Sequence, residues 1–184
     1  MADYIDKCNK IWCNAKSPRK RKIGRYNSSE LAGIIDYGLT EKEWFNPKPK
    51  DLRGSKNISW GVHGEDMLVN WLKKGDRPFT EQTKDVYKIG EIEIVCVADF
   101  DFKDRILECK CPEKLPEKIK EWNKYQLEIQ YQIWGKDIYI IYLGRMGHKI
   151  FKYQPSDIRL KKIIKGVKAF HNKIKKYEQN NYSK

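Results

Sequence analysis

Asp99-Phe100-Asp101-Phe102-Lys103-Asp104-Arg105-Ile106-Leu107-Glu108-Cys109-Lys110-Cys111-Pro112 is the stretch that decides how this chain folds. Side chains alternate across a strand, so Ile106, Glu108 and Lys110 share one face while Leu107, Cys109 and Cys111 share the other. A carboxylate and an ammonium therefore point the same way. With Lys103 and Asp104 in a tight turn, antiparallel pairing sets Asp99 directly across from Glu108 on that face.

Two carboxylates so placed repel and raise each other's pKa unless a cation lies between them. Lys110 supplies one, and a divalent ion supplies a stronger one. Asp and Glu oxygens with no His or Cys pair beside them select a hard ion such as magnesium or manganese, completed by water and substrate phosphate. Such an ion polarises a phosphoryl oxygen and acidifies a bound water. A neighbouring lysine can orient or deprotonate that water, or neutralise developing charge. Metal-dependent phosphodiester cleavage is the expectation.

Outward from this stretch, residues 83–89 and 91–102 are rich in β-branched and aromatic residues and 105–111 alternate, which predicts three strands. Pro112 and Pro116 close that block. A helix is predicted before it over 59–73 and another after it over 122–134. Two strands follow, 138–143 and 149–153, joined through Gly144 and Gly147. A basic helix then runs from Ser156. Nearer the start, Asn27, Ser28 and Ser29 offer caps for a helix through Ile35, with Glu30 in its first turn. A Pro-rich connection over 46–50 leads onward. Helix, three strands, helix, two strands and helix predict an α/β domain with one mixed central sheet flanked by helices. It spans 26–184. Residues 1–25 form a polar arm whose basic run, Arg19, Lys20, Arg21 and Lys22 with Arg25 beyond it, is placed to contact phosphates or to remain a solvated tail.

The chain has 184 residues, enough for one hydrophobic core. With 40% hydrophobic and 34% charged residues it fits neither a disordered nor a membrane-embedded class. No apolar run approaches the ~20 residues of a membrane span, and no signal peptide opens the sequence, so an intracellular protein is expected. A formal charge of +13, from 38 Lys and Arg against 25 Asp and Glu, favours nucleic acid as partner over an anionic membrane. The one basic amphipathic helix, residues 158–177, is expected to pack its Ile163, Val167, Phe170 and Ile174 stripe on its own domain. Five cysteines without a secretion signal read as reduced thiols, and the paired spacing of zinc or iron-sulfur ligands is missing.

Asp99 followed by Glu108-Cys109-Lys110 resembles the D…ExK signature of the PD-(D/E)XK nuclease superfamily. The segment ILECKCP, residues 106–112, is similar to the Glu-x-Lys-Cys-Pro segment of the lambda exonuclease and YqaJ-like recombinase group, which sits with the RecB-like nucleases. Ala98 stands where the superfamily's name has proline. The resemblance implies a restriction-endonuclease-like core, DNA as substrate and magnesium or manganese as cofactor, with the Cys109 backbone carbonyl as a further metal ligand.

Val62, Glu65, Val69 and Leu72 follow helical spacing, which turns Glu65 toward the apolar face. Gly61-x-x-x-Glu65 resembles the first motif of lambda-exonuclease-like enzymes, whose glutamate faces the metal. His63 is the competing helix ligand, since RecB-like relatives use a histidine there, and it would favour manganese. Trp122, Gln126, Ile129 and Ile133 form a stripe broken by a glutamine, with Gln130 one turn further. YQLEIQYQIW resembles the Gln-x-x-x-Tyr helix that lines RecB-like active sites, so Gln126 carries over to the catalytic site and Gln130 and Tyr131 to nucleic-acid contact. YNSSEL near residue 28 resembles the opening helix of those domains without its cysteine, and no iron-sulfur cluster is expected.

The implied catalyst places Glu65, Asp99 and Glu108 around the metal, Lys110 on the attacking water and Gln126 bracing the site. Exonuclease and endonuclease modes, a homo-oligomer and a viral or mobile-element source stay open. One alternative is an inactive binding protein gripping strands with Trp60, Trp71 and Trp122. Another is an RNA endonuclease on the same core.

Overall fold

The computed structural model of the chain describes residue 11, residues 21–47 and residues 56–182. The β-branched and aromatic runs fold into a mixed six-stranded sheet. Its strands are β1 (Arg25–Asn27), β2 (Phe79–Ile89), β3 (Ile92–Phe102), β4 (Arg105–Lys110), β5 (Asp137–Gly144) and β6 (Gly147–Lys152). The helices are α1 (Leu31–Ile35), α2 (Glu41–Phe45), α3 (Lys56–Leu72), α4 (Glu121–Trp134) and α5 (Asp157–Tyr182). Each predicted element is present. The reading from sequence lacked β1 and α2, which are too short to show a period, although Thr40 and Glu43 form a capping box that marks the start of α2. Arg25, read as the end of the arm, is the first residue of β1. Cys8, Cys13, Arg19 and Lys20 lie outside the described residues.

The strands run in the order β1-β3-β4-β5-β6, with β2 paired to β3 as well. The long β3 therefore carries β2 along one edge. Its other edge is shared: parallel β1 takes Glu93 to Val95, and antiparallel β4 takes Phe100 and Asp101. Between them, among the described residues, a short stretch of β3 has no strand on that edge. The fork ends at Asp99.

On one face, α4 packs Leu127 against Ala98, Ile106, Ile138 and Ile140. On the opposite face, α3 sets Leu68 among Phe100, Leu107, Cys109 and Ile141. A further cluster joins Tyr26, Ile94 and Ile129 to Ile163, Val167, Phe170 and Ile174 of α5. The basic helix thus spends its apolar stripe on its own domain. Among the described residues no helix is long and apolar enough to cross a membrane. Because α4 is covered by the sheet and by other helices, it buries an unbroken run from Tyr125 to Gln130. It ends at Gly135, whose φ of 60° is the left-handed cap that glycine adopts without a Cβ clash. Trp122, expected on the buried stripe, is exposed at the start of this helix, with the Lys120 ammonium 4.9 Å from its ring centroid.

Candidate active site

Phe100 pairs with Leu107 and Asp101 with Ile106, so the turn falls at Lys103 and Asp104 and the next position sets Asp99 opposite Glu108. The ladder stops there. In place of strand pairing, the Cys109 backbone N–H donates to Asp99 Oδ2 at 2.8 Å. Ala98 belongs to the core under α4 while Phe100 belongs to the core under α3. In an even strand residues two apart share a face, so β3 changes face at Asp99. On its other edge, β2 pairs Glu81 with Phe100 and Thr83 with Ala98, leaving Gln82 beside Asp99. Gln82 has a φ of 54°, a left-handed conformation that costs a non-glycine residue about 1–2 kcal/mol. Its Nε2 donates to Asp99 Oδ1 at 3.3 Å. Neighbouring strands hold the aspartate from both sides.

Glu108 is 1% exposed. Burial of a carboxylate at that depth demands donors, and three arrive. Lys110 Nζ reaches Oε1 at 2.5 Å, Gln126 Nε2 reaches Oε1 at 2.7 Å and Gln130 Nε2 reaches Oε2 at 2.6 Å. Gln130 Nε2 also donates to the Val97 carbonyl at 3.3 Å, in the fork between β1 and β4. The two glutamines sit one helical turn apart on α4, which is why both meet one acceptor.

Burial first, and Glu108 second, push the Asp99 carboxyl well above the ordinary carboxylate range. Lys110 and the Cys109 N–H oppose that rise, and Glu65 adds to it. For Lys110 burial acts to lower the pKa, yet Glu108 and Asp99 outweigh it and hold the ammonium above its usual value. Three carboxylates therefore act on one spot with a single lysine between them. On the far face of β4, a hydrogen bond with Cys111, then burial, push the Cys109 thiol up. That same bond lowers Cys111.

Helix α3 comes close because Gly64 has no side chain: a Cβ there would lie 2.4 Å from Cys111 Sγ. Cys111 Sγ faces the Gly61 carbonyl at 3.8 Å. The buried stripe of α3 runs through Val62, Gly64 and Leu68, so Glu65 is exposed at its edge and does not sit on the apolar face as its spacing predicted. Its charge nevertheless acts on Asp99, Cys109 and Cys111. His63 is also exposed, its ring 5.9 Å from that of Trp60.

Among the described residues no three His, Cys, Asp or Glu side chains are gathered tightly enough to hold a metal by themselves. The donor chemistry still suits a hard divalent ion. Buried Glu108 and half-buried Asp99 are mutually repelling oxygen donors, and such an ion keeps water and substrate phosphate in its shell. The fit is to oxygen ligands.

Of the residues expected to contact nucleic acid, Gln130 is fully buried and bonded to Glu108, so it braces the site and cannot reach a strand. Tyr131 is partly buried against the core under α4. Arg21 pairs with Glu30 and lies over the Trp44 ring, 5.5 Å from its centroid. Arg25 faces Glu93 at 3.7 Å, six residues and roughly 20 Å along β3 from Asp99. Lys22 is exposed. Gln82 and the bracing role of Gln130 went unread in the sequence. The first depends on strand register and the second on Gln126 and Gln130, one helical turn apart, both meeting the buried Glu108.

This mixed sheet, with its forked long strand and a glutamine-bearing helix over its carboxylate pair, has the fold of solved exonuclease structures. Solved structures agree. The chain is similar to the protein SSO0001, with a TM-score of 0.67 and 14% identity over 92% of this chain and 85% of that one. The alkaline exonuclease LHK-Exo from Laribacter hongkongensis gives a TM-score of 0.65 and 14% identity over 93% of this chain and 95% of that one. A phage-related exonuclease from Haemophilus somnus 129PT gives 0.61 and 13% over 85% and 96%. No family profile and no curated protein matches the chain in sequence.

Proposed function

We propose that this chain is a metal-dependent nuclease that hydrolyses DNA phosphodiester bonds, working as an exonuclease. The observation that carries the reading is the buried Glu108 carboxylate, held by Lys110, Gln126 and Gln130 beside a second, half-buried carboxylate, Asp99. A structural role calls for donors around a buried acid, not for a second acid. The fold shared with two exonucleases supports the same reading, as does the solved complex of LHK-Exo with dAMP.

Asp99, Glu108 and the Cys109 carbonyl would hold magnesium or manganese, with Glu65 on the solvent side and His63 less well placed. The ion, when bound, supplies Lewis-acid polarisation of the phosphate and acidifies a water. Lys110, 2.5 Å from Glu108 Oε1, is placed to assist the attacking water and to neutralise charge gathering on the phosphoryl oxygens. Gln126 and Gln130 fix the Glu108 carboxylate from behind, as outer partners of metal ligands do. Gln82 fixes Asp99 in the same way. The formal charge of +13 draws the polyanionic substrate.

Magnesium-dependent cleavage of end-labelled DNA, compared between wild type and Asp99→Ala, tests the site. The wild type is expected to cleave and the variant to lose activity. Equal activity in both would remove the site as drawn. An end-blocked circular substrate then separates exonuclease from endonuclease action.

A further inference from the structure

Near the carboxylate site, α3 and the β5–β6 hairpin enclose an apolar groove of about 340 Å³ lined by Trp60, Met67, Trp71, Leu143, Arg145 and His148. Trp71 is 64% exposed. Its other flank borders a second hollow, of about 460 Å³, with Lys74, Asp76 and Arg77 on its wall. The Trp60 indole N–H is buried without a hydrogen-bond partner among the described residues. An exposed indole and an unpaired indole donor thus lie on α3, with Arg145 of the β5–β6 turn on one flank and Lys74 and Arg77, beyond the end of the helix, on the other.

We propose that this groove is a stacking subsite for unpaired bases of a nucleic-acid strand on its way to or from the carboxylate site. The proposal rests on the nuclease reading for its choice of polyanion. Three observations favour this occupant. Every base presents a π-face to an indole whatever its identity, and the flanking cations suit the backbone that follows it. A second copy of this chain would bring Arg145, Lys74 and Arg77 against the same charges on a molecule of formal charge +13, which opposes self-association through this face. The groove also lies next to the site along two elements: Gly64 lines it and packs on Cys111, one residue beyond Lys110, while the adjacent Glu65 acts on Asp99.

Fluorescence anisotropy of a short fluorescein-labelled oligothymidylate, titrated with the full chain in EDTA, reads the groove without the metal. Trp71→Ala is expected to weaken binding on the order of tenfold, as loss of one stacked base does. Trp71→Phe keeps a ring and is expected to retain most of the affinity. Arg145→Ala is expected to weaken binding less and to flatten its salt dependence. Tyr37→Ala removes a ring that is 66% exposed elsewhere and is expected to change nothing. Binding by Trp71→Ala equal to wild type, or a fall matched by Tyr37→Ala, overturns the groove. So does loss of binding to anionic phospholipid vesicles with oligothymidylate binding kept. The two readings fail separately. Cleavage by the wild type with an unaffected Trp71→Ala sinks the groove alone, and Trp71-dependent binding by a wild type that never cleaves sinks the nuclease.

Discussion

Among the described residues two glutamates are buried, Glu108 on β4 and Glu128 on α4, at 1% and 0% exposure, and their surroundings differ in one respect. Glu128 meets only donors: Tyr153 Oη at 2.6 Å, the Ser156 backbone N–H at 2.9 Å and Gln132 Nε2 at 3.1 Å, with Arg159 Nη1 at 3.8 Å. Glu108 also meets three donors, but Asp99 stands beside it and Glu65 adds to the negative field on Asp99. The first arrangement is complete and ties α4 to the start of α5, where a carboxylate satisfies a free helix N–H. The second carries negative charge in excess of its donors. A buried acid with matched donors reads as structure, and a buried acid with a second acid beside it reads as a place for a cation.

The comparison breaks first at Asp99. Asp99→Asn keeps an oxygen for the Cys109 N–H but removes a charge that burial and Glu108 disfavour. It is expected to cut turnover about a thousandfold or more, the several kcal/mol that a bound ion contributes, while leaving Tm unchanged or raised in metal-free buffer. A marked fall in Tm alongside full turnover would make Asp99 a structural residue.

Glu128→Ala should show the reverse behaviour. Tyr153, Ser156 and Arg159 would lose their acceptor inside the core, at a cost of roughly 3 kcal/mol and a Tm lowered by roughly 10 °C. Turnover below the melting range is expected to match wild type, and calorimetry beside the cleavage assay checks both halves.

Residues that brace the site from behind should have intermediate effects. Gln126→Ala is expected to weaken magnesium affinity by roughly 10–100-fold, read from the metal dependence of cleavage. Gln82 separates backbone from side chain. Gln82→Gly relieves the left-handed φ and is expected to stabilise by about 1 kcal/mol while lowering activity, because the bond to Asp99 is gone. A destabilised Gln82→Gly would show that this backbone is unstrained.

The smallest effect lies away from the site. The Lys162 hydrogen bond, then that of Tyr125, hold the Asp36 carboxyl below its ordinary value of 3.8. A depressed folded-state pKa adds stability that is present above the unfolded value and lost as pH falls through the folded one. Asp36→Asn is therefore expected to be slightly less stable than wild type at neutral pH, and the gap should close below pH 3.8. Asp36 is a third exposed, so solvent screening keeps the gap small. A gap that persists in acid would assign it to packing.

Much of this fold was legible in the chain because local patterns are strong where elements are long. β3 and β4, the turn at Lys103 and Asp104, and the pairing that sets Asp99 against Glu108 follow from alternation and one tight turn. The α5 stripe was equally plain. Glu65 was misread because a helix shows its period but not the height of the surface it lies on, and Gly64 on Cys111 rotates the buried stripe away from Glu65. Gln130 was misread because polar side chains at helical spacing look alike whether they face solvent or a buried acid.

By itself the sequence determined the class of sheet, the order of its elements and the acids and lysine that share a strand face, since each depends on side-chain period and short-range turns. Only the tertiary structure decided that β3 forks and changes face at Asp99, that Gln82 and Gln130 brace the two acids, and that an aromatic groove opens beside them. Those features join residues far apart in the chain. They exist where packed elements leave a backbone group or a carboxylate without its regular partner, and no local pattern encodes which distant side chain will supply one.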